Sequence, residues 1–295
     1  MRLAAAEKRR TLLLLIPFLT GVVLLVVLPF AATAVLAFTE YDLVRPPRFV
    51  GMDNLRALLD DDVFRIALRN SLLFAAASVP LRLIGATGLA LLLRRPGPGV
   101  RSGGIAVVLP VAIPDVALAL VWLWILNPLY GPLNLALDAV GLPTPSWRSE
   151  AVPAQWSVIG LSVLQLGEGF LLALAARASV PRVLEEIAAV EGAGPWTTFR
   201  RVVFPVMLPA LLLLAIRDTV WSFQATFVPA LLVTDGGPPP YATTTLPLLA
   251  YRNAFEYLRY GYASAITLVL FALTASVVWL EIRLIARWRR TLRWN

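Results

Sequence analysis

TLLLLIPFLTGVVLLVVLPFAATAVLAF, residues Thr11–Phe38, contains no charged residue and is long enough to cross the hydrocarbon of a bilayer as a helix. It follows Lys8-Arg9-Arg10, as a secretory signal would. The run is too long for a signal core, so it reads as a retained span. Outward from it the pattern repeats. Apolar stretches cover roughly 11–38, 70–93, 104–126, 156–176, 204–227 and 262–285, separated by short charged segments. The fold class expected is therefore an all-α integral membrane protein of six spans, a single transmembrane domain over 1–295. Proline inside the spans (Pro17, Pro29, Pro80, Pro110, Pro114) predicts kinks, which membrane helices tolerate where neighbours satisfy the freed carbonyls.

Composition agrees. The chain is 59% hydrophobic and 15% charged, too little polar surface for a soluble domain of this length. The net charge of +8 does not indicate nucleic acid, because the arginines sit in short runs between apolar stretches. With the N-terminus inside, the inner segments hold sixteen basic residues: Arg2, Lys8, Arg9, Arg10, Arg94, Arg95, Arg101, Arg177, Arg182, Arg200, Arg201, Arg283, Arg287, Arg289, Arg290 and Arg293. The outer segments hold eight (Arg45, Arg48, Arg56, Arg65, Arg69, Arg148, Arg252, Arg259) together with Asp60-Asp61-Asp62. The positive-inside rule then puts both termini in the cytoplasm, as an even number of spans requires. There is no Cys and no His, which excludes disulfides, thiolate chemistry and histidine-based catalysis or metal binding.

The segment between the fourth and fifth stretches, residues 180–205, reads as two short helices with a hinge. Pro181 can open the first, with Leu184, Ile187, Ala188 and Glu191 at helical spacing, and Gly192 and Gly194 close it. Pro195 suits the start of the second, which places Trp196, Phe199 and Val203 on one stripe. Aromatic side chains on a charged loop point to a partner surface, the rival being a helix lying on the lipid interface. Glu186-Ile187-Ala188, three residues, Gly192, nine residues, then Val202-x-Phe204-Pro205 resembles the EAA loop of binding-protein-dependent ABC permeases, with Ile187, Val202 and Phe204 as substitutions in the motif. The resemblance covers nearly the whole chain. It extends through Phe49-Val-Gly-Met-Asp-Asn54, Asn70-Ser71, Leu109-Pro110 with Pro114, and Trp122-x-Trp124-x-x-Asn127-Pro128. Further matches are Ser222-Phe223-Gln224, Thr234-Asp235-Gly236-Gly237-Pro238 and Gly261-Tyr262-Ala263-Ser264, which narrow it to carbohydrate-uptake permeases of the maltose-permease F type. Asp235 departs from the usual Gly or Asn, and the extra N-terminal helices and large external domain of the enteric maltose permease have no counterpart.

The resemblance implies that Glu186, Ala188, Gly192, Trp196 and Phe199 dock on an ABC ATPase dimer. It implies as further partners a homologous second permease, an extracytoplasmic solute-binding protein, a sugar-like substrate and the lipid of a bacterial or archaeal cytoplasmic membrane. It also makes Ser222, Phe223, Gln224 and Thr226 substrate-pathway candidates, and puts Glu168 where sugar permeases usually carry an aromatic residue. No G-x-x-x-x-G-K-[ST] occurs, so ATP and Mg belong to the partner and this chain is a non-catalytic subunit with no cofactor of its own.

Five charges fall near the middle of the apolar stretches: Arg82, Asp115, Glu168, Arg217 and Asp218. Charges at that depth face a bundle interior or a wet cavity. Arg82 or Arg217 pairing with Asp115 or Glu168 is one reading and substrate contact the other. Arg217 and Asp218, adjacent on one helix, are expected to diverge. Gln165, a helical turn before Glu168, and Asp115 join the pathway candidates. An ion-coupled secondary transporter using the midplane carboxylates is the alternative function, and an intramembrane acid–base enzyme a third.

Overall fold

The computed structural model describes residues 13–93 and 97–292. The basic residues Arg2, Lys8, Arg9, Arg10, Arg94, Arg95 and Arg293 and the first two residues of the expected opening span lie outside that range. In chain order the helices are α1 (Leu13–Leu36), α2 (Asp53–Asp60), α3 (Asp62–Leu92), α4 (Pro98–Val108), α5 (Asp115–Ile125), α6 (Pro132–Ala139) and α7 (Ala151–Leu164). They continue as α8 (Gly167–Ala178), α9 (Arg182–Val190), α10 (Pro195–Thr198), α11 (Phe204–Gln224), α12 (Phe227–Leu232), α13 (Leu246–Tyr251) and α14 (Tyr260–Leu292). Strands β1 (Thr39–Glu40) and β2 (Arg48–Phe49) form an antiparallel hairpin.

Among the described residues four helical stretches are long and apolar enough to cross a membrane: Leu13–Leu36, Asp62–Leu92, Pro195–Leu232 and Tyr260–Arg287. Two broken pairs, Gly99–Ala112 with Asp115–Ile125 and Ala151–Leu164 with Gly167–Ala178, bring the number to six if each is one span. These positions match the six apolar stretches, with three corrections. α3 starts at Asp62, not near residue 70, because the helix continues past the apolar stretch into charged first turns that carry no hydropathy signal. At 1.5 Å per residue its 31 residues reach about 46 Å, beyond the ~30 Å of hydrocarbon, so Asp62 and Arg65 can stand clear and pair at 2.7 Å. The third stretch does not merely kink but bends by 109°. Ile113 is extended (ψ 130°), as the residue before a proline prefers, and Pro114 follows with ψ 139°. The fourth stretch bends by 47° at Gln165–Leu166, with no proline there.

Elsewhere the prolines act more gently. α3 runs continuously through Pro80. A wide π-turn at Val23–Val27 precedes Pro29, and another at Phe199–Val203 precedes Pro205. Widening the turn accommodates the N–H that each proline lacks.

The chain divides into two compact units, Met1–Asp61 with Leu249–Phe271, and Asp62–Leu248 with Ala272–Asn295. In the first, Asn54 Nδ2 donates to the carbonyls of Ala37 and Thr39 at 3.0 and 2.8 Å, holding α2 to the hairpin. Tyr262 Oη donates to Asp61 Oδ2 at 2.5 Å, and Asp42 Oδ1 accepts the backbone N–H groups of Val44 and Arg45. The Arg45 N–H, first among these contacts, holds the Asp42 carboxyl below the ordinary carboxylate range.

In the second unit α3, α8 and α11 pack through small residues. Ala86, Ala90, Phe170, Ala173, Ala176, Met207 and Leu211 are buried together. Without a hydrophobic drive between helices in lipid, close approach of this kind supplies the packing energy. The Gly/Pro-rich stretch 235–240 forms turns, and the backbone just after it is pinned by side chains. Asn70 Nδ2 donates to Tyr241 O and Thr244 O, both at 2.9 Å, and Gln155 Nε2 donates to Ala242 O at 3.0 Å.

Candidate functional site

The 180–205 loop folds as its residues dictate. Pro181 stands extended just before α9, where a missing N–H is free of cost. Gly192 has φ +79°, its N–H bonds Ala189 O at 3.1 Å, and Ala193 N–H bonds Ala188 O at 2.9 Å. That is a Schellman ending, and it needs a left-handed residue at this position. Nothing lies within 4 Å of a Cβ built on Gly192, so the demand is wholly conformational. Gly194 then leads into Pro195, the first residue of α10.

The expected stripe divides by depth. Val203 is buried and Phe199 half-buried, packed on the cluster of Val180 and Met207, while Trp196 is 71% exposed. The Trp196 and Phe199 rings lie 5.5 Å apart. On α9 Ala188 is buried, and Glu186 and Gly192 are exposed. Val183, Ile187 and Val190 are 56%, 50% and 90% exposed, so the two short helices present an apolar face that the described residues leave uncovered. Behind that face, Arg177 at the end of α8 donates from Nη2 to both carboxylate oxygens of Glu185, each at 2.7 Å. No sequence spacing announced this pair, because the Pro181 turn between them breaks helical periodicity.

Four of these charges, Arg82, Asp218, Arg217 and Glu168, are joined to one another. Arg82 Nη2 lies 3.4 Å from Asp218 Oδ1, with both side chains 2% exposed, and its guanidinium stacks 3.9 Å from the Trp221 ring centroid. Arg217 bridges outward, its Nη1 3.0 Å from Asp218 Oδ1 and its Nη2 in close contact with Glu168. The expected divergence of Arg217 and Asp218 does not occur. Their Cβ directions differ, but the long Arg217 arm curls back to a carboxylate already fixed by Arg82. Of the expected pairings, Arg217 with Glu168 forms, whereas Arg82 takes Asp218 instead.

Asp115 opens α5, where a carboxylate suits the helix N-terminus, and accepts a hydrogen bond from Gln165 Nε2 at 2.8 Å. The two span breaks therefore meet. A break, not a continuous helical turn, separates Gln165 from Glu168, which sits in the first turn of α8. A Cβ on Gly167 would lie 2.7 Å from Val107 O and 2.9 Å from Val111 Cγ2, so the backbone before Pro114 rests directly on this glycine.

The remaining candidates separate. Ser222 is buried 3.2 Å from Ser78 Oγ, Phe223 is buried, and Thr226 donates to Thr245 Oγ1 at 3.1 Å. These three face packing within the chain, whereas Gln224 is exposed. Sequence reasoning did not single out Asn70 and Gln155 as clamps, since their partners are carbonyls and leave no side-chain signature. Among the described residues no cluster of carboxylates could hold a metal ion.

Residues 101–290 match the family model described as the binding-protein-dependent transport system inner membrane component. The probable ABC transporter permease protein YesP of Bacillus subtilis (strain 168) is 30% identical over 276 residues, covering 92% of this chain and 89% of that protein. The sulfoquinovosyl glycerol transport system permease protein SmoG of Agrobacterium fabrum is 29% identical, covering 95% of this chain and 91% of its own. A crystal structure of a bacterial ABC transporter that imports the acidic polysaccharide alginate shares the fold, with a TM-score of 0.83 at 22% identity over 97% of this chain and 99% of that one. The chain therefore belongs to the inner membrane components of binding-protein-dependent transport systems and is a transmembrane permease subunit of an ABC importer.

Proposed function

We propose that this chain is the six-span, maltose-permease F-type subunit of an importer for a sugar or sugar-like solute, a single transmembrane domain with both termini in the cytoplasm. The observation that carries the reading is the uncovered apolar face of α9 and α10 behind the Gly192 ending, on the segment that positive-inside counting assigns to the cytoplasm. An ABC ATPase dimer covers that face, with Glu186, Ala188, Gly192, Trp196 and Phe199 as the docking element. ATP and Mg bind there and not here, since the chain's single lysine, Lys8, lies in no phosphate-binding loop. A homologous second permease completes the pathway, and an extracytoplasmic solute-binding protein delivers cargo across the cytoplasmic membrane of a bacterium or archaeon.

The relatives' cargoes, sulfoquinovosyl glycerol and alginate, support a polyhydroxylated solute. Asp115, Gln165 and Glu168, at the span breaks, and Gln224, at the end of α11, offer polar groups that are not fully buried, and Ser222, Phe223 and Thr226 shape the wall behind them. Asp115, Glu168 and Asp218 each already hold a polar partner, which argues against the ion-coupled alternative.

Two measurements test this. The chain has no cysteine of its own, so single introduced ones report cleanly. Arg182→Cys should label only from the cytoplasm and Pro239→Cys only from outside; Arg182→Cys labelled from outside would reverse the orientation and remove the docking argument. Glu168→Ala and Gln224→Ala should each lower transport by about tenfold, the scale of one charge-assisted or polar contact, while the complex assembles and hydrolyses ATP. Asp218 still holds Arg217 in the first variant, so the fold should survive. Normal transport by both would make these groups structural.

A further inference from the structure

We propose that Arg177 is a positioning residue that locks α9 to α8, so that a displacement of the docking loop moves α8 as one lever. The proposal rests on the docking reading of residues 180–205 given above. Arg177 lies in the last turn of α8 and Glu185 in the first turn of α9, with the Pro181 turn between. One guanidinium nitrogen takes both carboxylate oxygens at 2.7 Å, so neither partner can rotate without losing a contact. The Arg177 side chain is 10% exposed and its Nε is buried with no hydrogen-bond partner among the described residues. A charge held that deeply needs its counter-ion, and a charge-assisted contact of this kind is among the stronger non-covalent ties.

The far end of α8 is equally constrained. Gly167 sits on the backbone before Pro114, and Glu168 is joined to Arg217. Between the two ends α8 has 12 residues, about 18 Å of helix. A Cβ on Gly169, in the first turn, would touch Ala86 Cβ at 3.4 Å and Leu214 Cδ1 at 3.5 Å, and further along Phe170, Ala173 and Ala176 are buried with Ala86 and Ala90 of α3 and Met207 and Leu211 of α11. A push on α9 is thus delivered to the Gln165–Leu166 break, where the Asp115–Gln165 contact and Glu168 lie. Remove the ion pair, and the Ser179–Pro181 joint and the packing of Ala188 are left to carry it. The rival role is local: a cation at a helix C-terminus satisfies its carbonyl end and no more.

The test uses the assembled permease–ATPase complex in proteoliposomes, with Gln224→Cys as reporter. The probe is maleimide, and its labelling rate is compared without nucleotide and after trapping with ATP, Mg and vanadate. Arg177→Leu and Glu185→Gln should keep the ATPase bound and hydrolysing, yet lose the nucleotide-dependent change in labelling by about fivefold or more, the lower end of a typical coupling factor. The reversed pair Arg177→Glu/Glu185→Arg should restore it. A nucleotide-dependent change that persists in the single variants, or a reversed pair no better than they are, overturns the proposal and leaves Arg177 a helix cap. Should Arg177→Leu not assemble, Glu185→Gln makes the same comparison without a change of size. A parent complex that retains no ATPase overturns the docking reading itself, and this proposal with it.

Discussion

Asp218→Ala should destabilise the protein by about 3–5 kcal/mol, the cost of leaving one buried charge without its counter-ion. The Arg82 and Asp218 side chains are both 2% exposed, so water cannot replace the lost carboxylate. Arg82 Nε and Nη1 are already buried without hydrogen-bond partners among the described residues, and the neighbouring guanidinium of Arg217 would then face Arg82 without the Asp218 carboxylate between them. The Trp221 ring face offers only a weak substitute. Replacing both charges by apolar residues of similar length, Arg82→Met/Asp218→Leu, should recover most of the loss, because no orphan charge remains. Thermal unfolding of the detergent-solubilised chain, run as a double-mutant cycle, measures this. A single variant that melts with the parent would show that water reaches the pair.

Gly192→Val should uncouple ATP hydrolysis from transport while the spans stay folded. The position has φ +79°, and a β-branched side chain in the left-handed region costs about 1–2 kcal/mol, a factor of roughly 5–30 in the population of the correct turn. Nothing crowds the site, so the penalty falls on the backbone and is relieved by redirecting the chain between α9 and α10. Redirection moves Trp196 away from the exposed face of α9. Glu186→Lys should add to the loss by reversing a charge at the contact. Two controls fix the cause. Gly192→Asn should keep most activity, since Asn enters the left-handed region readily. Gly194→Ala should behave as the parent, because Gly194 has φ −66° and an open Cβ position. The readout is co-purification of the ATPase together with hydrolysis stimulated by the loaded binding protein. Parent-like values for Gly192→Val would remove the reason for treating this loop as a coupling element.

Much of this was legible before any coordinates. Membrane class, the positions of the apolar stretches and the construction of the 180–205 loop follow from local properties of the chain: hydropathy over about 20 residues, a proline with no N–H to donate, a glycine where φ must be positive. Each acts over one or two turns, so the residues that cause it are neighbours in sequence. Other features depend on which helix face lands against which. The bend at Gln165–Leu166 has no proline to announce it; it is the place where Gly167 meets the backbone of Val107 and Val108 and the side chain of Val111. Arg82 and Asp218 lie on different helices far apart in sequence, and Arg82 could have met Asp115 or Glu168 on spacing alone; the packing of α3 on α11 chose between them. Ser222, Phe223 and Thr226 looked like one wall with Gln224, yet the rotation of α11 and α12 turns the first three into the chain and leaves the fourth open. Arg177 found Glu185 across a proline turn that erases periodicity. Local sequence determined what each segment is, and only tertiary packing decided which charge answers which, because a side chain's partner is set by where its helix face comes to rest.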